Sequence, residues 1–207
     1  MIEASSNSND YKPIESGTYM ARCFSMIQIG TVQQEYKGEI KELNKVRITW
    51  EIPTELKIYK EGEEPKPLTV SKEFTLSLHE KANLRKFLES WRGKAFNEQE
   101  AKKFNISKLL GIPCMLSVIH KTSKSGNIYA DISSVSSLPK GMQCEPQINE
   151  NFEFSFTPYE QYKFDLLPDW LKDKIKTSKE YKSMIEPNNN EINVEDNQNE
   201  ENDDLPF

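Results

Sequence analysis

The sequence predicts a mainly β fold with helices: five strands, a helix between the third and fourth, a helical C-terminal extension and a disordered acidic tail. Three observations lead there. Residues 45–52 alternate strictly, with Val46, Ile48, Trp50 and Ile52 on one side and Arg47, Thr49 and Glu51 on the other, the period of a half-buried strand. Residues 81–91 then change to helical spacing, placing Leu84, Phe87, Leu88 and Trp91 on one stripe. From Pro187 onward the chain is rich in Asn, Glu and Asp and almost without apolar residues, so it cannot bury enough surface to fold.

The remaining elements follow in order. Residues 1–10 are Ser/Asn-rich and read as a disordered N-terminus. Gly17 precedes a β-like run, Thr18–Ile27. Thr31–Glu42 is polar, contains Gly38 and reads as a long hairpin loop. Pro53 is expected to end the second strand. A charged loop at Glu61–Pro67 leads to a third strand, Val70–Leu78, with Val70, Phe74, Leu76 and Leu78 on one face. Gly93 stops the helix after Trp91. Asn97, with Glu98 and Glu100 behind it, reads as the N-cap of a second short helix. Ile112–His120 and Ile128–Val135 are strands joined by a turn at Lys121–Asn127 that holds Gly126. Strand, strand, strand, helix, strand, strand is the order of a five-stranded Greek-key barrel of the OB type. That barrel is expected over residues 11–140. Residues 141–185 form a linker followed by a helical extension. In the linker Phe152, Phe154 and Phe156 alternate, and in the extension Trp170, Leu171 and Ile175 dock one side. Residues 186–207 are the acidic tail.

Charge is distributed unevenly. The net charge is −6, which argues against a polyanion ligand until it is divided along the chain. Eight acids and no Lys or Arg lie in 186–207. Residues 1–185 hold 27 basic and 25 acidic residues, a net of +2, and residues 1–140 hold 21 and 17, a net of +4. The body is mildly basic, which permits phosphate binding. Mean hydropathy is −0.74, and no apolar run approaches the roughly 18 residues of a membrane span. Met1–Asp10 lacks an apolar signal core, so a cytoplasmic protein with no membrane partner is expected. Cys23, Cys114 and Cys144 are odd in number and form no CxxC pair. With His79 and His120 the only imidazoles, neither a disulfide framework nor a metal site is indicated, and no cofactor is expected. Gly111 is not followed by the Lys-Ser/Thr of a phosphate loop. His79-Glu80 lacks the second His of a zinc protease, and no acidic pair recurs at two-metal spacing. A non-catalytic chain is the expectation.

Holding an unpaired nucleic-acid strand requires aromatic faces for bases and cations along the phosphate path. Such interleaving occurs in three places: Tyr19 and Arg22 with Phe24 on the first strand, Tyr36, Lys37, Lys41, Lys45 and Arg47 on the first loop and second strand, and His120, Lys121, Lys124 and Tyr129 on the last hairpin. In an OB barrel the loops between strands 1 and 2 and between strands 4 and 5 flank the binding face. For any single aromatic, a place in the core is the commoner role. Trp50, Phe74, Phe87 and Trp91 align with apolar faces and are assigned there.

The chain ends in Asp203-Asp204-Leu205-Pro206-Phe207. A tail with no core to join has no packing reason for such an ending. As a docking peptide it makes sense: Phe207 fills a pocket, Pro206 limits the entropy lost, and the acids steer toward a basic surface. This ending resembles the acidic tip of bacterial single-stranded DNA-binding proteins. The resemblance implies recruitment of replication or recombination proteins such as a helicase, primase, polymerase, nuclease or recombinase. The body is similar to the single-stranded DNA-binding proteins of tailed phages, on Lys45–Pro53, Leu84–Lys94, Leu110–Cys114, His120–Asn127 and Leu166–Leu171. That likeness implies an OB-fold protein that coats single-stranded DNA during replication, recombination and repair in a phage-infected bacterial cell. Two other readings stay open from sequence: a polymerase or sliding-clamp adaptor whose barrel binds protein, and a DNA-processing nuclease with scattered carboxylates.

Overall fold

The structure, a computed structural model, describes residues 13–36 and 38–185. Its strands are β1 (Gly17–Tyr36), β2 (Glu39–Lys57), β3 (Lys66–Thr75), β4 (Pro113–Thr122), β5 (Ile128–Ser136) and β6 (Phe152–Phe154). Its helices are α1 (Asn83–Arg92), α2 (Glu98–Lys102), α3 (Gln161–Asp165), α4 (Asp169–Lys176) and α5 (Lys179–Ile185), with a 3-10 turn at Ile106–Leu109. Five strands lie in the antiparallel order β3-β2-β1-β4-β5, and β6 adds to β1 in parallel. The succession of three strands, helix and two strands is the one the sequence predicts. Gly93 caps α1 in the left-handed conformation, and Asn97 and Glu100 form a reciprocal capping box on α2.

The alternation of β2 is realised as burial. Val46, Ile48, Trp50 and Ile52 point inward, where Trp50 meets Phe87 and Trp91 at ring-centroid distances of 5.6 and 5.5 Å. Leu84, Leu88 and Trp91 of α1 cover this core, and Leu116, Val118 and Ile132 line its far side. A second core sits on the other half of β1. Ile27, Ile29 and Val32 pack there against Phe154, Phe164, Leu167, Leu171 and Ile175.

Three local expectations are corrected. Thr31–Glu42 is not a loop, because β1 and β2 continue as a paired ladder out to Tyr36 and Glu39. Polar side chains are compatible with a two-faced hairpin arm, and the absence of apolar alternation hid the pairing. Pro53 does not end β2. The β2–β3 ladder is irregular between Ile52 and Leu56, and a bulge of this kind tolerates a residue without an N–H. Residues 143–158 are no free linker: 152–154 form β6, and Arg22 and Glu51 clasp the segment before it. These two face each other across β1 and β2. Arg22 donates to the carbonyls of Glu145 (2.6 Å), Cys144 (3.0 Å) and Gly111 (3.0 Å). Glu51, fully buried, accepts from the backbone N–H groups of Ile148 (2.6 Å) and Asn149 (2.8 Å). A buried carboxylate survives because it is paired with several donors.

The sheet is strongly curved but not closed by a backbone ladder. Its edges, β3 and β5, meet through Lys72, which lies between Val70 and Phe74 on the core-facing side of β3. Its ammonium donates to Asp131 Oδ1 at 2.8 Å and to the Ile132 carbonyl. Lys121 reaches the other Asp131 oxygen. Burial pushes the Asp131 carboxyl up, but the hydrogen bonds from Lys121 and Lys72 outweigh it and hold the group below its ordinary value. A carboxyl depressed in the folded state adds stability above its unfolded pKa and loses it as pH falls through its folded pKa. Asp131→Asn is therefore expected to be less stable than the parent near neutrality. The gap should narrow as pH drops below about 4. Urea unfolding of both proteins over that range measures it, and a gap independent of pH would show that the bridge contributes no linkage.

Gly30 sits where the β1–β2 register shifts, with φ +88°. A Cβ there would lie 2.7 Å from Glu180 Oε2, 2.8 Å from Ser178 Cβ and 2.9 Å from a Phe156 ring carbon. The missing side chain lets α5 close on β1, where Glu180 accepts from Thr31 N (2.6 Å) and Thr31 Oγ1 (2.8 Å).

Candidate nucleic-acid interface

On the side of β2 away from the core stand Lys45, Arg47, Thr49 and Glu51, of which Glu51 is buried beneath residues 148 and 149. Their β3 partners are Thr75, Glu73, Ser71 and Thr69. The centre of this face is small and polar, and Thr49 and Ser71 hydroxyls are 2.9 Å apart. Two hollows flank it. One, about 350 Å³, is walled by Phe24, Phe152, Leu166 and Trp170. The other, about 550 Å³, is walled by Lys57, Tyr59 and Tyr129. Both include Arg47 and Ser71, so the two hollows adjoin at these residues and together mark out a groove across β1, β2 and β3, with β5 as its far wall.

The groove alternates rings and cations. Trp170 and Tyr59 are each 53% exposed and Tyr129 is 42% exposed. The Arg47 guanidinium lies 4.9 Å from the centroid of the Trp170 ring and 3.7 Å from Glu73. Lys174 of α4 also holds Glu73, at 2.6 Å, so the acid is shared by two cations. Burial lowers the Arg47 pKa and Glu73 partly restores it. The Lys57 ammonium lies 5.7 Å from the Tyr59 ring centroid. This arrangement can stack flat rings at both ends and place phosphates near the middle.

Of the residues proposed from sequence, Arg47 and Tyr129 line the groove. Lys45 lies one step along β2, with its pKa lowered by burial, raised by Glu73 and lowered by Lys174. Lys121 flanks the Tyr129 wall in its pair with Asp131, and Lys124 is exposed in the β4–β5 turn, where Gly126 has φ +86°. His120 Nε2 is 2.8 Å from the Ile14 carbonyl. Tyr19 donates to the Glu15 carbonyl at 2.9 Å and packs on the first core. Arg22 is occupied by the three carbonyls of the clasp. Tyr36 ends β1 opposite Glu39. Lys37 and the tip Asp203, Asp204, Leu205, Pro206 and Phe207 lie outside the described residues.

Sequence reasoning misses Lys57 and Tyr59, although Lys57-Ile58-Tyr59-Lys60 carries the same interleaving, because Pro53 reads as the end of the strand. It also placed Trp170 with Leu171 and Ile175. The two aliphatics, one turn apart, are buried in the second core, while Trp170 points a third of a turn away into the groove. Among the described residues no group of three or more His, Cys, Asp or Glu is placed to hold a metal, and no helix is long and apolar enough to cross a membrane. Compared with protein-family models, curated proteins and solved structures, the chain finds no match in any of the three.

Proposed function

We propose that the protein binds single-stranded DNA along the groove across β1, β2 and β3, on a barrel of the OB type whose β3–β5 seam is bridged by side chains. The observation that carries this reading is that the two hollows adjoin at Arg47 and Ser71. Exposed rings stand at both ends, Arg47 stands between them, and the floor is small and polar. Every base has a π-face, Thr49, Thr69 and Ser71 are small hydroxyls rather than bidentate amides, and the Arg47 guanidinium is engaged by Glu73 and the Trp170 ring rather than free to read a base edge. The protein therefore coats DNA with little sequence preference and has no catalytic step. Recruitment of replication or recombination proteins by residues 203–207, in the cytoplasm of a phage-infected bacterium, belongs to the same reading.

The test is a salt titration of oligo-dT binding beside a duplex of equal length. Affinity for the single strand should be the higher, and its logarithm should fall linearly with that of salt as counterions are released. Equal affinity for duplex, or no binding at low salt, overturns the proposal.

A further inference from the structure

A further hollow, about 720 Å³, lies outside the groove, between β3, the start of α1 and β5. Lys45, Lys72, Lys81 and Lys86 line it, and Glu73 is its one acid. Glu73 is already held by Lys174 and Arg47. Lys45, Lys81 and Lys86 form no ion pair among the described residues, in contrast to Lys72, Lys94 and Lys121. Between these cations stand hydroxyl groups, including Ser90, Ser133 and Ser134, beside apolar side chains of the core rim. Trp170, Tyr59 and Tyr129, the exposed rings of the groove, are not part of it. Phe74 and Phe87 also line the cleft, but Phe87 packs on Phe74 and on Trp50 in the core, and His79 at its rim is the one exposed ring. The cations and hydroxyls between them suit phosphates.

This cleft adjoins the groove. Ala130 and Asp131 of β5 wall the groove, Ser133 and Ser134 wall the cleft, and the Lys72–Asp131 bridge stands between them. A strand leaving the groove at Tyr129 crosses the bridge and meets the unpaired lysines. We propose that the cleft carries the phosphodiester backbone of the same DNA strand beyond the groove, an inference that rests on the function proposed above. The protein thereby contacts more nucleotides than the groove alone accommodates, and the additional contacts are electrostatic.

The test uses the full chain and the double variant Lys81→Ala/Lys86→Ala. Both side chains are exposed, so folding should be unchanged, which a thermal melt checks. Oligo-dT of about 6 and about 20 nucleotides bracket the range of a single barrel. For the longer oligonucleotide the variant should lose about ten-fold in affinity at low salt, with a salt slope flatter by up to about two units. The shorter one should bind both proteins equally. An unchanged affinity for the long strand, or an equal loss for both lengths, overturns the extended path. Tripolyphosphate serves as the small-anion probe. If it binds the parent and not the variant while long-strand affinity is unaltered, the cleft is a site for free polyphosphate and the strand assignment fails. Should the parent bind neither oligonucleotide, the proposed function itself fails, an outcome distinct from all of these.

Discussion

Trp170→Ala is expected to weaken oligo-dT binding by about 1–3 kcal/mol, roughly 5- to 150-fold, the range for losing one stacking partner. Its melting temperature should hardly move. The side chain is half exposed, and α4 is anchored by Leu171 and Ile175 rather than by Trp170. The substitution also removes the ring beneath Arg47, so the guanidinium loses its orientation as well as the base its platform. Trp170→Phe should recover most of the affinity. The chain has three tryptophans, and Trp50 and Trp91 are buried. Trp170 alone is therefore open to quenching, and oligo-dT should quench its emission and protect it from acrylamide. Binding that leaves the emission unchanged would move the strand away from this end of the groove.

The largest effect on stability is expected from Gly30→Val. Two penalties combine there. A β-branched residue at φ +88° is strained, and its Cβ enters space held by Ser178, Glu180 and Phe156. Of these three, Glu180 and Phe156 do not yield cheaply, since the Glu180 carboxylate is fixed by Thr31 and the Phe156 ring packs with Tyr159 and Phe154. A destabilisation of about 3–4 kcal/mol follows. It should appear as a lower melting temperature together with new protease sensitivity near Thr177–Lys179, where α5 lifts from β1. Gly30→Ala should show the same pattern, reduced. A variant as stable and as protease-resistant as the parent would mean that β1 and α5 slide apart without cost.

Strand order was legible because β2 and α1 each bury a single face, so periods of two and of 3.6 survive in the letters. The capping box at Asn97 and the turn at Gly126 were legible for a different reason, being local backbone chemistry set by neighbouring residues. The hairpin arm beyond Thr31 was not, since its apolar contacts come from residues 154–175 and its exposed face is polar. Lys72 carries no sign in sequence that it bridges two sheet edges. The interface was half legible. Arg47 and Tyr129 followed from alternation and turn position. Trp170 could not, because which side of a helix meets a groove depends on how the second core orients α4. Arg22 has the composition of a phosphate contact and the geometry of a clasp, a distinction that resides in Cys144 and Glu145, more than a hundred positions away.

The partners of β1 also impose an order of events. It pairs with β2 close by, but its other side waits for β4 and β6, the Arg22 guanidinium waits for carbonyls 122 and 123 positions later, and Thr31 waits for Glu180, 149 positions later. A chain emerging from the ribosome N-terminus first makes this strand early and completes it late. Loop-closure entropy opposes each of these distant contacts until the intervening segments have folded. A β1–β2 hairpin formed before residues 113–180 are available would have an uncovered edge and uncovered Ile27, Ile29 and Val32. Surface of that kind, an open strand edge beside uncovered apolar side chains, is where unwanted pairing with other chains starts.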